Sequence, residues 1–386
     1  MRKIIFIVLL AFSYTFSQNA ANLFFNANGG RAAAMGNAYT ALSDDVLGLA
    51  WNPAGLGYLR SYASSVVGRF GFGNSSINGF EPYGINSWKV DLNSWSQLNF
   101  IGIVVPFEIE GVSGGTGFSF RRVYNLTLEQ NHTIKTSTDS YSYHDNSDGG
   151  VDAFTLAFGV RLHKVISVGL TLNYLIGTVD GFRNLNKNNQ NDPTNYITYN
   201  NEYSGFSAEG GLMIKPMDLF TVGAHFIIPY TVTEDSTGGG SVKLGIPLAF
   251  SIGIAVFPME HLILSMDYRN QPMSAVTVNN RSLKDLYGTE DTYSIHIGAE
   301  WQTEKLAYRI GYYKNKETQN VFNPDHVFTG GVGIKFSSFM LNTALEYTET
   351  NIKREFDLDD ALIPYTQNTS EWRITIGAQV YFYGAF

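Results

Sequence analysis

Cysteine is absent from the 386 residues of this chain. The absence excludes disulfide bonds, a thiolate nucleophile and a cysteine-based zinc site. Charge is also scarce: Asp, Glu, Lys and Arg together make up 16% of the residues, and the formal net charge is −8. An acidic chain without a cluster of lysine or arginine lacks the electrostatic footprint of a nucleic-acid binder, so we expect no nucleic-acid partner.

A long hydrophobic run is missing too, apart from a short one at the N-terminus. Arg2 and Lys3 precede the largely apolar residues 4–16, and Ser17 is a small residue at the expected cleavage position. This pattern predicts a secretory signal peptide over residues 1–17. A short buried helix or a membrane anchor is the alternative, but the run is shorter than the roughly 20 apolar residues of a spanning helix. We therefore expect an exported protein.

Glycine, tyrosine and phenylalanine are abundant instead, with 39, 23 and 27 residues. This composition is typical of a protein made of many strands. In VISVGLTLNYLI (165–176) apolar residues occupy one face, and Ser, Gly, Thr and Asn occupy the other. The stretch SVKLGIPLAFSIGIAVF (241–257) alternates in the same way, and we interpret it as one strand with a single apolar face. A period of two over such lengths predicts β-strands.

A half-buried soluble sheet alternates as well, but three features favour a transmembrane barrel. The predicted strands are longer than the ~5–6 residues of an average soluble strand. Their second face carries Gly, Ser, Asn and a few charges, which suits a polar lumen. The connections alternate between short turns and long polar loops, as in outer-membrane barrels. The predicted long loops lie near 131–149, 179–199, 278–291, 315–325 and 350–369.

The alternating segments number about fourteen between residues 60 and 386. An even number brings both ends of the barrel wall to the same side, and closure pairs the backbone groups that lipid cannot hydrate. The chain ends on Phe386 after alternating apolar residues, which resembles the C-terminal insertion signal of outer-membrane barrels. We predict an all-β, fourteen-stranded antiparallel transmembrane barrel over residues 60–386, surrounded by outer-membrane lipid.

Residues 18–59 precede the first predicted strand and do not alternate. They are rich in Ala and Gly, and small residues let backbone pack against backbone in a confined space. Ser43, Asp44 and Asp45 are a plausible helix N-cap for a brief helix that ends near Trp51. Pro53 disfavours a helical conformation at the residue before it, which predicts a turn. We predict that residues 18–59 form a plug inside the barrel, with a periplasmic tail as the alternative.

The stretch GRAAAMGNAYTALSDDVLGLAWNPAGLG (30–57) resembles the N-terminal hatch of the outer-membrane long-chain fatty acid transporter family, the FadL/TodX type. The resemblance implies a fourteen-stranded barrel that takes up hydrophobic molecules passively, with a lateral gap at a strand kink, for which Pro247 is a candidate. The hydrophobic ligand would be similar to a fatty acid. The motif residues are Gly30, Arg31, Asp44, Asp45, Asn52, Pro53, Ala54 and Gly55.

The same stretch is similar to the barrel proteins of the type IX secretion apparatus in Bacteroidota, the PorV/PorQ type. This second resemblance implies a barrel that transports nothing itself and serves an outer-membrane protein secretion or barrel-assembly complex as a subunit. Both resemblances imply the outer membrane of a Gram-negative bacterium, and the second points to Bacteroidota. The function is therefore left between uptake of hydrophobic molecules and a role in assembly.

Catalytic patterns do not occur in the sequence. Its seven histidines form neither an HxH nor an HExxH motif, and the glycine-rich stretches do not precede helices, so they are not phosphate loops. We predict neither an enzyme nor a cofactor or metal site. By strand parity, eight charged or titratable side chains are expected in the lumen, either as a structural ion-pair network lining the wall or in contact with the plug or a ligand. These are Asp267, Arg269, His296, Glu300, Arg309, Lys335, Glu346 and Arg373.

Overall fold

The structure, a computed structural model, describes residues 29–80, 85–187, 196–316, 326–358 and 361–382. The predicted signal peptide (1–17) and the first part of the predicted plug (18–28) lie outside the described residues. So does the chain-terminal Phe386.

Nineteen strand segments follow one another in a single antiparallel sheet. They are β1 (Tyr62–Asn78), β2 (Ile85–Ile109), β3 (Val112–Asn125), β4 (Leu128–Thr136), β5 (Ser140–Arg161), β6 (Ile166–Lys187), β7 (Tyr196–Met217), β8 (Phe220–Ile227), β9 (Tyr230–Ser236), β10 (Gly240–Ile246), β11 (Ala249–Met259), β12 (Leu262–Gln271), β13 (Thr277–Val278), β14 (Arg281–Ser282), β15 (Thr292–Gln302), β16 (Leu306–Asn315), β17 (His326–Lys335), β18 (Phe339–Leu358) and β19 (Ala361–Phe382).

These segments build fourteen wall strands. Three wall strands are each interrupted once, as β3/β4, β8/β9 and β10/β11, while β13 and β14 form a two-residue hairpin inside a connection. The first strand pairs with both the second and the last, since Tyr62 lies opposite Phe382 and Ala63 lies opposite Val104. The sheet is therefore closed, and the predicted fourteen-stranded antiparallel barrel is confirmed.

The two faces of the wall differ as the alternation predicts. On β6, Leu170 and Leu172 are exposed on the outside, while Thr171 and Asn173 are buried inside. Exposed large apolar side chains recur on strands around the circumference. An apolar exterior around a closed wall is the arrangement of a barrel in lipid. Within the described ranges, no helix is long and apolar enough to cross a membrane.

The predicted long loops were wrong in three places, because strands continue through most of them. Residues 140–161, 166–187 and 339–358 are strands, although the sequence indicated loops from 131–149, 179–199 and 350–369. A transmembrane strand needs only about 9–11 residues. Longer strands extend beyond the lipid, where the outer face no longer needs to be apolar and the alternation that marks a strand weakens. By contrast β12, β15, β16 and β17 have only 10 or 11 residues, so the wall is low on that side.

The stretch 241–257 is also not the single strand that its alternation predicts. Strand β10 ends at Ile246 and β11 begins at Ala249, with Pro247 between them. Before the break the even-numbered residues face inward, and Ile246 is buried. After the break the even-numbered residues face outward, and Ile252 is exposed. Because proline supplies no ladder hydrogen bond, it permits a change of face that hydropathy alone does not reveal.

The N-terminal segment, residues 29–59, forms short helices and turns. Helix α1 spans Gly30–Ala34, helix α2 spans Gly48–Trp51, and a 3₁₀-helix spans Pro53–Tyr58. Asn52 is extended, as expected before proline. The predicted N-cap at 43–45 is wrong, because α2 begins at Gly48 without a side-chain cap. The Asp45 carboxylate instead accepts a hydrogen bond from the Leu47 backbone at 2.9 Å.

A row of four glycines on the inner wall receives the 3₁₀-helix of the N-terminal segment. Gly115, Gly159, Gly169 and Gly211 lie opposite one another in register on β3, β5, β6 and β7. A Cβ atom at Gly169 would lie 2.3 Å from the carbonyl carbon of Pro53. Any side chain in this row would therefore displace the segment.

A second pair, Gly298 and Gly311, lies in register on β15 and β16 and receives Met35 and Gly36. A Cβ at Gly311 would lie 2.1 Å from the backbone nitrogen of Gly36. The described part of the N-terminal segment therefore contacts opposite sides of the wall, inside the barrel.

We expect Gly169→Ala to loosen the N-terminal segment without opening the barrel. The added methyl group meets backbone that cannot rotate away, and overpacking of this kind costs about 1–3 kcal/mol. Limited proteolysis of the segment should therefore be faster. Gly210→Ala is the control, because Gly210 on the adjacent strand has no other atom near its Cβ position. Equal protection of both variants would contradict the tight fit.

Candidate functional site

The N-terminal segment is held to the wall by buried ion pairs around Glu300. The Arg31 guanidinium donates to both carboxylate oxygens of Glu300, from Nε at 2.9 Å and from Nη2 at 3.0 Å. Arg309, on the neighbouring strand, donates to the same carboxylate, which is fully buried. One wall carboxylate thus serves two guanidinium groups, one of them from the N-terminal segment.

Two acidic residues of the segment stand beside this network. Arg31 Nη1 lies 3.5 Å from Asp44 Oδ1 and 3.9 Å from Asp45 Oδ2. The Tyr39 hydroxyl donates to Asp45 at 2.7 Å. Burial raises the pKa of Asp45 to about 6, although Arg31 and the Tyr39 hydrogen bond oppose the shift. The carboxyl therefore takes up a proton in mildly acidic solution.

Asp267 binds the backbone of the segment on a second side. Its Oδ2 accepts from the backbone nitrogens of Tyr39 and Thr40 at 3.0 and 2.9 Å, and from the Thr40 hydroxyl at 2.7 Å. Arg269 donates to the carbonyl of Asn37 and lies 4.8 Å from the Trp51 ring centroid. A single wall strand, β12, therefore supplies an anion for backbone N–H groups and a cation for a carbonyl.

His296 contacts the segment through one ring nitrogen. Its Nδ1 lies 2.7 Å from the carbonyl oxygen of Gly36, so this nitrogen carries the hydrogen. Its Nε2 lies 2.8 Å from the Ser294 hydroxyl, and its ring stacks on Tyr313 with centroids 4.8 Å apart. The ring is positioned by the wall and recognises backbone, not a charge.

Asn52 and its neighbours dock on the opposite side of the wall through neutral bonds. Asn52 Nδ2 donates to the carbonyls of Thr40 at 2.9 Å and Leu212 at 3.2 Å, and its Oδ1 accepts from the Ala54 nitrogen at 3.1 Å. The Ser167 hydroxyl donates to the carbonyl of Ala54 at 2.7 Å. Pro53 and Gly55 lie within the same 3₁₀-helix.

Arg373, another predicted lumen residue, bonds to side chains of the wall and not to the described N-terminal segment. Its Nη2 donates to the Tyr313 hydroxyl at 3.2 Å and to Thr348 at 3.0 Å. The carboxylate across the ladder, Glu346, is instead bonded to Arg69 at 2.6 Å. This group is part of the wall.

A further network, on β3, β7 and β8, is not among the residues predicted from the sequence. Arg121 donates to Glu209, whose other oxygen lies 3.0 Å from His225 Nε2. Arg121 also approaches the carbonyl of Ala50 at 3.4 Å. The signal was present, because Arg121 follows Gly115, Gly117 and Ser119 on the small and polar face of the strand.

Apolar side chains fill part of the interior between these polar networks and the end of the barrel at which the long strands extend. Two neighbouring clusters share Tyr230 and Leu244. The first cluster comes from β3 to β9, and the second from both proline-interrupted strands and the connection after β12. Their buried residues are Tyr124, Val151, Ala153, Leu175 and Val232 in the first, and Ile227, Ile246, Ala249, Met273, Val276 and Leu283 in the second. We call the two together the apolar interior.

The wall is unpaired beside the apolar interior. The ladder between β2 and β3 ends at the pair Phe100 and Arg121. The ladder between β2 and β4 resumes only at the pair Leu92 and Gln130. No ladder joins the described residues 93–99 to 122–129 across this seam. Both edges remain attached elsewhere, 93–99 mostly to β1 and 122–129 mostly to β5. The described wall thus has a gap on one side of one strand.

Pro247 lies at a different interruption. In the register of β9 with β10 and β8 with β11, Pro247 falls opposite Pro229. The connection after β12 covers this place with a 3₁₀-helix, Met273–Ala275, and a short helix α3, Leu283–Tyr287. Buried Met273, Val276 and Leu283 fill the space.

Solved structures with a similar fold include a FadL homologue and two toluene transporters. The chain is similar to a FadL homologue from Pseudomonas aeruginosa with 11% identity, covering 93% of this chain and 100% of that one, at a TM-score of 0.65. It is similar to the toluene transporter TodX from P. putida with 12% identity, covering 93% and 99%, at 0.65. It is also similar to the toluene transporter TbuX from Ralstonia pickettii with 14% identity, covering 94% and 100%, at 0.62.

At such low identity these likenesses establish the fold, which is that of the FadL/TodX-type barrels. No protein-family model and no curated protein matches the chain. The similarity to secretion-apparatus barrels and the assignment to Bacteroidota gain no support from these neighbours, and both stay hypotheses.

We expect Glu300→Gln to release the first turns of the N-terminal segment. The substitution leaves Arg31 and Arg309 without their shared counter-ion, and breaking a buried ion pair in this way costs about 3–5 kcal/mol. Trypsin should then cleave after Arg31, which mass spectrometry of the products detects.

The matched control is Glu304→Gln, the same change in an exposed turn. A Glu300→Gln protein as resistant to cleavage after Arg31 as this control would show that the ion pairs do not hold the segment.

Proposed function

We propose that this protein is an outer-membrane channel for passive uptake of hydrophobic small molecules. The apolar interior, set between a gap in the wall and a segment that fills the lumen below, carries the proposal. A porin for polar solutes has an open, polar lumen. An apolar passage closed to water instead suits a cargo that dissolves in lipid. The FadL/TodX-type fold supports the same function.

The N-terminal segment is proposed to act as the plug of this channel. Its contacts with Glu300 and Asp267 on one side and with the glycine row on the other support a seal against water and ions. The plug begins at residue 18 if the signal peptide ends at residue 17, and the first strand begins at Tyr62. The cargo leaves either along the axis, when the segment shifts, or sideways through the gap.

The free energy gained by burying a small aromatic molecule favours weak binding and rapid release. A single aromatic ring the size of a phenylalanine side chain buries about 150–250 Å². At ~25 cal/mol per Å² this yields about 4–6 kcal/mol before the entropy of association is subtracted. A long alkyl chain gains roughly 0.8 kcal/mol for each buried CH₂ and is held longer. Flux of toluene and binding of a long-chain fatty acid are therefore the two informative assays.

A disulfide between the N-terminal segment and the wall would test gating by the plug. The hydroxyl oxygens of Thr40 and Ser251 are 2.9 Å apart and buried, and the chain has no native cysteine. Thr40→Cys with Ser251→Cys should therefore form a specific cross-link. We expect toluene flux into liposomes to fall at least tenfold when the pair is oxidised and to return with reductant.

The matched control is Ser75→Cys with Thr369→Cys. Their hydroxyls are 2.8 Å apart on β1 and β19, so this cross-link joins two strands that are already paired. Unchanged flux through the oxidised Thr40–Ser251 protein would overturn gating by the plug and leave the sideways exit. Absence of toluene flux and of fatty acid binding in the unmodified protein would overturn the function itself.

A further inference from the structure

Tyr124 and Tyr230 meet inside the barrel, each beside one of the three places where a wall strand is interrupted. Tyr124 lies just after a register shift between Arg122 and Tyr124, on the stretch of β3 that has left β2. Tyr230 is the first residue of β9, directly after Pro229. Their hydroxyls form a hydrogen bond to each other.

We propose that this hydroxyl pair is a latch that closes the apolar interior toward the gap in the wall. The inference rests on the proposed function and deepens it, since it assigns the residues that control the sideways exit. Two separate strands meet here through a single polar contact. Apolar residues, including Val151, Leu175 and Val232, pack around it, and the Arg121–Glu209 ion pair lies close by.

The position of Tyr124 makes the contact a control point. The stretch 122–129 has a ladder to β5 but none to β2, so side-chain contacts such as the Tyr124–Tyr230 bond add to the β5 ladder in holding it in place. Tyr124 is buried, and in the described part of the chain its hydroxyl bonds only to that of Tyr230. Separation of the two strands therefore leaves two hydroxyls without partners in apolar surroundings, which is unfavourable unless water or a ligand replaces the bond.

The polar neighbours do not substitute for the latch. Arg122 forms a two-bond pair with Asp152, at 2.6 and 3.2 Å, which ties the stretch to β5. Arg121 is bonded to Glu209 and Asn173. These bonds tie β3 to β5, β6 and β7, whereas the tyrosine pair ties it to β9 beside the gap.

A cysteine placed in the apolar interior would report opening without any transport. Val232→Cys puts a thiol at a position that is 2% exposed, in a chain with no other thiol. Its labelling by the uncharged reagent N-benzylmaleimide in liposomes should be slow. Tyr124→Phe or Tyr230→Phe should each speed labelling roughly fivefold, the effect of losing one ordinary hydrogen bond and stranding its partner.

The double variant Tyr124→Phe, Tyr230→Phe separates a latch from general loosening. Either single change already removes the bond, so the double variant should be labelled about as fast as each single variant. Additive rates in the double variant, or unchanged rates in the single variants, would overturn the latch. Val66→Cys, on the exposed outer face, is the control and should be labelled equally in every background.

Toluene flux measured on the same proteins connects the latch to the function. The single variants should pass toluene faster than the parent by the same factor as the labelling. Flux in the parent that does not change in the single variants would overturn the latch while keeping the proposed function. A parent that passes no toluene and binds no fatty acid would instead overturn the proposed function.

Discussion

The whole structure depends on one constraint, which is that backbone groups facing lipid must be hydrogen-bonded within the protein. A closed sheet meets it, and the pairing of β1 with both β2 and β19 completes the closure. Backbone that is not part of the sheet can then lie only inside the wall or beyond the lipid. The N-terminal segment lies inside the wall. The extensions of the long strands and the connection after β12 lie together at one end of the barrel.

A segment of irregular backbone inside a barrel must bond its own polar groups to the wall. Asp267 accepts from two backbone N–H groups, and His296 and Arg269 donate to carbonyls. The Asn52 side chain donates to the carbonyls of Thr40 in the segment and Leu212 on the wall. The glycine row at 115, 159, 169 and 211 lets backbone approach backbone closely enough for this. Charge and small size thus act together: the charges satisfy the backbone, and the glycines make room for it.

The interruptions of the wall strands also place apolar residues inside the barrel. The register shift near Tyr124 and the prolines at 229 and 247 each change which residues face inward. Apolar residues that elsewhere would meet lipid, such as Ile246 and Val232, are turned into the lumen there. The same kind of departure from ideal strands therefore accompanies both the gap beside β2 and the apolar interior next to it.

The sequence by itself determined the barrel, because the alternation of lipid-facing and lumen-facing residues can be read within each strand, whichever strands it pairs with. It also indicated which charges share the small and polar face, and that the stretch at 30–57 differs from the wall. Only the tertiary structure decided that Arg31 and Arg309 share Glu300, that four glycines from four strands form one row, and that the apolar face of 241–257 divides at Pro247. These features depend on register and on bends between distant strands, and a period of two is the same for every register.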